Sequence, residues 1–335
     1  MLKNHPKGLI VAFFTNMGER FGFYTMMAIL VLFLQVRYGL DENVAGDYYS
    51  WFYFAIYALA LIGGMLADAT KKYKTVILFG QIIMFAGYAL IAVPGISLGA
   101  TMGALLIIAL GNGFFKGNLQ AVVGQLYDNE KYAKHRDNAF MIFYMGINIG
   151  AFFAPFVATG VRNWWLKFNG FLHDGSLPAL CRNFLNGELS DTTQLQTLAD
   201  KVSSAPVADL TAFSQQYIDV FSRGYNWAFA IAAGAMIVSL IIYLIFNKKL
   251  PTVTKAPKTD KKKTDGVKLG GAKTAIAAAI SVALMVGIGL IFHFTMNNIG
   301  LGLALGLFVG FLALMFQIST KEERPRVSAL SLVFI

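Results

Sequence analysis

Three charged residues, Glu19, Arg20 and Lys116, lie inside long apolar stretches of the sequence. A charged side chain near the centre of a bilayer costs about 3 kcal/mol on insertion scales, so such residues usually face a partner or a water-filled cavity. They often mark the pathway of a substrate or an ion. Together the three residues carry two positive charges and one negative charge. This surplus of positive charge predicts a site for an anionic group, such as a carboxylate.

One face of the first predicted helix carries polar and aromatic side chains. Spacings of three and four residues bring side chains to the same face of a helix. The residues with this spacing are Asn16, Glu19, Arg20, Phe23 and Tyr24. The alternative interpretation of Glu19 and Arg20 is a mutual ion pair that only locks the helix to its neighbours. The functional interpretation is favoured, because charges are rarely kept inside a membrane for packing alone.

Lys116 lies in the segment Gly111-Asn-Gly-Phe-Phe-Lys-Gly-Asn118. The glycines permit close approach of another helix and leave space around the ammonium group. The alternative is a lysine that only snorkels to the cytoplasmic interface, because position 116 lies toward that end of its apolar run. A phosphate-binding loop is rejected, because the Gly-Lys-Ser/Thr ending is missing and the segment lies within an apolar helix.

Few other groups in the sequence could carry site chemistry. The four histidines have no metal-ligand spacing, and the single cysteine, Cys181, has no partner in the chain. We therefore expect no metal site, no intrachain disulfide and no cofactor. No nucleophile with a nearby base and no large interaction domain is recognisable, so neither an enzyme nor an assembly protein is expected.

The amino-acid composition predicts a membrane protein. Of the 335 residues, 56% are hydrophobic and only 14% charged, and the mean hydropathy is +0.58, which excludes an ordinary soluble enzyme. Apolar runs of about twenty residues are long enough to cross a bilayer as helices. Eight such runs are predicted: 8–35, 44–67, 75–95, 98–126, 138–161, 225–247, 274–295 and 298–319. A ninth begins after Arg326 and is too short to span, so we expect a truncated chain.

The positions of lysine and arginine predict the orientation. With the N-terminus in the cytoplasm, twenty of the 28 lysines and arginines fall in cytoplasmic segments, as the excess of basic residues on that side requires. These loops also account for the net charge of +10. We therefore expect contacts with anionic lipid headgroups and no binding of nucleic acid.

Polar segments divide the chain into six predicted parts. They are five transmembrane helices in 1–161, an extracytoplasmic, helical insertion in 162–223, a sixth transmembrane helix in 224–247, a basic cytoplasmic linker in 248–273, a two-helix hairpin in 274–319, and a cytoplasmic loop with the start of a seventh helix in 320–335. Within the hairpin, Gly302, Gly306 and Gly310 repeat every four residues, which predicts close helix packing.

Several motifs together resemble the proton-dependent oligopeptide transporters, a branch of the major facilitator superfamily. The family's first-helix pattern is Glu-x-x-Glu-Arg-Phe-x-Tyr-Tyr, and the chain has Asn16-Met-Gly-Glu19-Arg20-Phe21-Gly-Phe23-Tyr24 after His5-Pro-Lys-Gly-Leu9. Further matches are Gly113-Phe-Phe-Lys116-Gly-Asn118, Phe143-Tyr-Met-Gly-Ile-Asn148-Ile-Gly-Ala151, and Gly64-Met-Leu-Ala-Asp68 with Lys72. The motifs occur in the family's order and cover nearly the whole chain except the insertion.

The resemblance implies an all-α membrane protein that contains the N-terminal six-helix bundle of a major facilitator fold. A two-helix linker hairpin and the start of helix 7 follow it, and the C-terminal six-helix bundle is the missing partner. The implied function is proton-coupled symport of di- and tripeptides by alternating access, in a bacterial inner membrane. A carrier of another small anion, or a fragment without independent activity, is the alternative.

The resemblance also assigns roles to individual residues. The residues implied to line the N-terminal half of the substrate site are Arg20, Tyr24, Tyr57, Lys116 and Asn148. Glu19 is implied to couple protons together with Arg20 and Lys116, and Asp68 and Lys72 belong to a conformational gating loop. Two departures matter: Asn16 replaces a glutamate and cannot titrate, and Phe23 lacks a hydroxyl.

Overall fold

The structure is a computed structural model that describes residues 4–252, 272–296 and 299–319, and residues 324, 325 and 327–329 near the end. Within these ranges the chain is built from α-helices, and the only strand-like pairing is an isolated bridge between Phe171 and Ser203. The predicted all-α fold is confirmed. Most of the predicted linker 248–273 and most of 320–335 lie outside the described residues.

Helices follow one another closely along the chain. The first ten are α1 (Lys7–Met27), α2 (Leu30–Tyr38), α3 (Glu42–Thr70), α4 (Tyr73–Ile91), α5 (Leu98–Gln125), α6 (Glu130–Ala133), α7 (Arg136–Phe168), α8 (Leu177–Leu185), α9 (Thr193–Val202) and α10 (Leu210–Phe246). The last two are α11 (Ala272–Met296) and α12 (Ile299–Ile318). Six described helices, α3, α4, α5, α7, α10 and α11, are each long and apolar enough to cross a membrane.

The first predicted span is broken into two helices. The sequence predicts one span over 8–35, whereas α1 and α2 meet at an angle of 41° and together make one further candidate span. The Thr25 hydroxyl donates a hydrogen bond to the carbonyl of Phe21 one turn earlier. Such a bond competes with the helix backbone and often bends a helix, and it lies in the last turn before the break after Met27.

Polar side chains define several helix ends. Asp41 and Asp209 precede α3 and α10, and each carboxylate accepts two backbone N–H groups of the first turn. Ser97 accepts a backbone N–H at the start of α5 in the same way. Gly39 ends α2 with a φ of 68°, a left-handed conformation that glycine adopts without strain.

The described chain divides into two compact units, Met1–Val253 and Thr254–Ile335. In the first unit, α5 packs between α3 and α4, α1 packs against α7 and α10, and α10 also contacts α4. In the second unit, α11 and α12 form the predicted hairpin. A Cβ at Gly306 would lie only 2.4 Å from the carbonyl oxygen of Met285, so the glycine repeat does permit close packing.

The predicted insertion, 162–223, is helical, but its two ends belong to the neighbouring spans. Helix α7 continues to Phe168, and α10 already begins at Leu210, so the sixth predicted span does not begin as a separate helix at 224. Helices α8 and α9 lie between them and pack through Leu177, Cys181 and Leu195, which are buried. The spans extend because their apolar spacing continues past the predicted limits of the membrane.

Two glycines let α3 and α5 touch at the backbone. A Cβ at Gly63 would lie 2.2 Å from the carbonyl oxygen of Gly113, and a Cβ at Gly113 would lie 2.6 Å from the Leu59 carbonyl. The Asn118 amide then donates to the Gly63 carbonyl at 3.0 Å. Small residues at a helix contact are typical of membrane bundles, because close backbone approach is a main source of packing energy there.

This contact predicts that Gly63→Ala destabilises the protein by about 1–3 kcal/mol, because the added methyl group has no space against the Gly113 backbone. The measurement is the melting temperature of the purified protein in detergent. Gly64→Ala on the same helix is the matched control, because a Cβ there meets nothing within 4 Å. Equal melting temperatures for the two variants would show that the close approach is not required.

Candidate functional site

An ion pair between neighbouring residues of α1 forms the centre of the candidate site. Nε of Arg20 donates to Oε2 of Glu19 at 2.5 Å, and a terminal nitrogen donates to Oε1 at 2.6 Å. Glu19 is fully buried, and Arg20 is 4% exposed. Two parallel hydrogen bonds are the strong arrangement for guanidinium and carboxylate. The pair therefore satisfies two charges that would be costly if either were buried alone.

Asn112 of α5 completes the surroundings of the carboxylate. Its Nδ2 donates to Oε1 of Glu19 at 3.1 Å, and the side chain is fully buried. Asn112 is not among the site residues predicted from the sequence. A signal was present, because Asn112 lies four residues before Lys116 and therefore on the same face of α5. Through this bond α5 is connected directly to the ion pair of α1.

A chain of buried polar side chains holds α1 in place. Ser239 of α10 donates to the carbonyl of Thr15 at 2.7 Å and accepts from Nε2 of Gln81 on α4 at 2.9 Å. One side chain thus joins three helices at the level just before Glu19. Hydrogen bonds between membrane helices fix their positions because no water is available as an alternative partner.

Lys116 lies on α5 beside α3 and is half-buried. Its ammonium lies 5.2 Å from the ring centroid of Tyr57, a cation–π contact. Among the described residues, no carboxylate lies within salt-bridge distance of Lys116. The structure therefore places a cation without an ion-pair partner near a pair that is already neutral, as the charge count of the sequence predicts.

Tyrosines of α3 extend the surface beside Lys116. Tyr49, Tyr53 and Tyr57 follow one another on one face, with ring centroids 5.3 and 6.1 Å apart. Tyr57 is 51% exposed, so its ring is accessible beside the ammonium. Tyr24 of α1 is partly buried against Phe23, whose ring also lies 4.7 Å from the Arg20 guanidinium carbon. Aromatic rings thus flank both cations.

Asn148 is not joined to this group. It lies on α7, which packs against α1, but its side chain is exposed and no hydrogen bond links it to another described residue. Asn16, one turn before Glu19, is 4% exposed, and its Nδ2 has no partner in the described part of the chain. The structure therefore brings Glu19, Arg20 and Lys116 into one region and leaves Asn148 outside their contacts.

The predicted gating residues lie at the α3–α4 turn. Asp68 accepts a hydrogen bond from the Tyr73 hydroxyl, and Lys72 precedes α4. The two predicted residues do not form an ion pair with each other in the described structure. Asp68 is eleven residues from Tyr57 along α3, or about 16 Å at the rise of an α-helix. This loop is therefore separate from the site around the ion pair.

The arrangement can receive an anion. The charges of Glu19 and Arg20 cancel locally, so the ammonium of Lys116 leaves net positive charge in an apolar surrounding, where electrostatic attraction is stronger than in water. No group of three metal-ligating residues occurs among the described residues.

A family model described as "POT family" matches residues 73–264 of the chain, which is more than half of it. The chain belongs to the POT family. The resemblance found in the motifs is thereby confirmed. The chain is an integral membrane protein, and the family to which it belongs is a transporter family and not an enzyme class.

Curated relatives of POT type align over parts of the chain. Dipeptide and tripeptide permease A of Edwardsiella piscicida is 30% identical over 254 residues, which is 73% of this chain and 50% of that protein. The Escherichia coli protein of the same name is 36% identical over 149 residues, covering 44% of this chain and 29% of that protein. The chain spans no more than half the length of these relatives.

Solved POT structures share the fold. A crystal structure of a peptide transporter POT in complex with alafosfalin has a TM-score of 0.59 and 26% identity, and the match covers 100% of this chain and 57% of that one. A POT family transporter in complex with 5-aminolevulinic acid has a TM-score of 0.60 at 22% identity and covers 100% of this chain and 58% of that one. The latter match supports the fold alone.

The buried ion pair predicts strong coupling between its two residues. Glu19→Gln leaves the Arg20 guanidinium buried without its counter-ion, so we expect a loss of about 3–5 kcal/mol of stability, and a similar loss for Arg20→Gln. The double variant should lose clearly less than the sum of the two. Thermal unfolding of the purified proteins measures all three.

Asp219→Asn is the control for this cycle. It breaks an exposed pair with Arg223, and such pairs contribute no more than about 1 kcal/mol. Additive losses at positions 19 and 20 would contradict a direct interaction between them.

Proposed function

We propose that this chain supplies the N-terminal half of a proton-coupled symporter of di- and tripeptides that works by alternating access. The observation that carries the proposal is the unpaired ammonium of Lys116 beside the buried Glu19–Arg20 pair, in a chain of the POT family. An ammonium in an apolar surrounding is suited to the C-terminal carboxylate of a peptide. Relatives named dipeptide and tripeptide permease support the same substrate class.

Within this proposal, Arg20, Tyr24, Tyr57, Lys116 and Asn148 line the substrate site. The tyrosine rings would contact the peptide beside its carboxylate, and Lys116 would neutralise that carboxylate. Asn148, exposed on α7, would contribute only when substrate or the second half of the transporter reaches it. Asp68 and Lys72 would act in gating from the α3–α4 turn.

Proton coupling follows from competition for the cations. A peptide carboxylate that binds Lys116 and Arg20 competes with Glu19 for the same positive charges. Binding of the peptide and binding of a proton to Glu19 are then linked, because a neutral Glu19 no longer needs the guanidinium. The proton is the only coupling ion in the proposal.

The proposed topology places the N-terminus and the linker 248–273 in the cytoplasm of a bacterial inner membrane and the insertion 162–223 outside. The hairpin 274–319 would be the linker between two six-helix bundles, with helix 7 beginning in 320–335. Basic residues in the proposed cytoplasmic loops support this orientation. The C-terminal bundle and the lipid bilayer are the proposed partners.

Uptake of a radiolabelled dipeptide into liposomes by the full-length protein tests the proposal. We expect accumulation with a proton gradient that is acidic outside, and only equilibration without it. Lys116→Ala should reduce the accumulation at least about tenfold, because a hydrogen bond to a charged group contributes about 1.5–3 kcal/mol.

Lys131→Ala, which removes a basic residue beside Tyr132 outside the long helices, is the control and should transport normally. Normal transport by Lys116→Ala would show that Lys116 has no role in binding. Competition by a small carboxylate without a peptide bond, and none by dipeptides, would favour a carrier of another anion.

Asn16→Glu should shift the pH profile of uptake. A carboxyl one turn before Glu19 makes a second negative charge less favourable, so protons bind at higher pH and the profile moves upward by roughly one pH unit. Asn16→Gln changes length without charge and should leave the profile in place. Superimposable profiles for the three proteins would show that position 16 does not influence proton binding.

A further inference from the structure

A cavity of about 520 Å³ lies in the first unit, at the end where α8 is located. It is a partly open cleft bordered by the end of α2, the residues before α3, and parts of α7, α8 and α10. Its walls combine apolar side chains, such as Leu32, Val36 and Pro178, with the guanidinium groups of Arg162 and Arg182. Ligand pockets typically have this size and this mixture of apolar walls with few polar groups.

Arg162 is a buried cation without an acidic partner. It is 6% exposed, and among the described residues no carboxylate lies within salt-bridge distance of it. Its Nε and Nη2 donate to the Asn163 side-chain oxygen at 3.1 and 3.0 Å, and Nη1 makes a long bond of 3.4 Å to the Tyr225 hydroxyl. The rings of Phe221 and Tyr225 lie 5.5 and 5.6 Å from its guanidinium carbon. Within the described part of the chain, the Arg162 charge therefore has neutral hydrogen-bond partners and no anionic one.

Arg182 brings a second cation from α8. It is half-buried, and Nη2 donates to the carbonyl of Val36 in the last turn of α2 at 2.6 Å. Its side chain lies against Gly39, where a Cβ would come within 2.6 Å of the arginine Cδ. Burial, and then the charge of Arg37, lowers the pKa of Arg182. These contacts fix the position of the Arg182 side chain, which lines the cavity.

The acids near the cavity are already engaged. Asp41 lines the cavity, but its carboxylate accepts the N–H groups of Asn43 and Val44 at the start of α3. Asp174 accepts both the backbone N–H and the hydroxyl of Ser176. His173 also lines the cavity, and burial followed by the Arg162 charge lowers its pKa, so it is neutral near pH 7. These hydrogen bonds leave both carboxylates charged, but Arg37, whose charge acts on Arg182, adds a third arginine beside them, so three cations stand against two anions and a local surplus of positive charge remains.

We propose that this cavity binds the carboxylate of a small, partly apolar organic anion, with Arg162 and Arg182 as its cations and the Phe221 ring beside its apolar part. A guanidinium matches a carboxylate with two parallel hydrogen bonds, and Arg162 has donors left for it. The site is distinct from the one around Lys116, because the cavity is lined by none of the residues proposed for that site, which are Arg20, Tyr24, Tyr57, Lys116 and Asn148.

Isothermal titration of the full-length protein in detergent with 3-phenylpropionate tests the proposal. The titration uses the Lys116→Ala background, which removes the cation of the other site, so that the result does not depend on peptide transport. We expect saturable binding, and binding at least tenfold weaker for the neutral amide, 3-phenylpropionamide. Inorganic phosphate, which lacks an apolar part, should also bind at least tenfold more weakly.

Arg162→Gln and Arg182→Gln, each added to that background, should weaken binding of 3-phenylpropionate at least tenfold. Arg223→Gln is the matched control, since this arginine is exposed on α10 and paired with Asp219, and it should change the affinity less than twofold. If the Arg162→Gln protein does not fold, the affinities of Arg182→Gln and Arg182→Lys test the proposal instead. Arg182→Lys should keep part of the affinity for 3-phenylpropionate that Arg182→Gln loses.

Three results would overturn the proposal. They are absence of saturable binding in the Lys116→Ala protein, equal affinity for the acid and its amide, and unchanged affinity in the arginine variants. Phosphate binding as tight as that of 3-phenylpropionate would equally show that the cavity does not recognise an organic carboxylate.

Discussion

The buried pair of Glu19 and Arg20 is the interaction on which the rest of the bundle depends. In an apolar surrounding neither charge can be left alone, so the helices around α1 must supply an enclosed and polar environment. Asn112 reaches the carboxylate from α5, and Ser239 holds α1 one turn away from the pair. One hydrogen bond thus joins α5 to the charge pair itself, and Ser239 with Gln81 joins α10 and α4 to the adjacent turn of α1.

Close contact between α3 and α5 places the two cations, Arg20 and Lys116, in different surroundings. Gly63 and Gly113 bring α3 and α5 together at the backbone, and three residues after Gly113 the ammonium of Lys116 faces the Tyr57 ring instead of an acid. One cation is therefore neutralised by its neighbour and the other is only shielded by an aromatic face. In the proposed mechanism, this difference would let Lys116 receive the carboxylate of the substrate while Arg20 stays paired with Glu19.

Much of this could be predicted from the sequence. Run length alone predicts helices around the eight apolar stretches, and the rarity of intramembrane charges singles out Glu19, Arg20 and Lys116, which the structure brings into one region. The contact of Asn112 and the bond from Tyr73 to Asp68 could not be predicted, since spacing along one helix does not show which neighbour a side chain meets. The break after Met27 could not be predicted either, because hydropathy does not show whether a hydroxyl group forms a hydrogen bond with its own helix.

The continuity of α10 links the segment 162–223 rigidly to the span that follows it. Helix α10 runs without a break from Leu210 into the span, so about 21 Å of rigid helix stands beyond position 224. Arg182 fastens α8 to the end of α2 at the same level. A small tilt of α10 within the bilayer would therefore displace Leu210 by a distance that grows with its separation from the pivot of the tilt. The position of the segment 162–223 would therefore change with the tilt angle of α10, as the end of a lever follows its pivot.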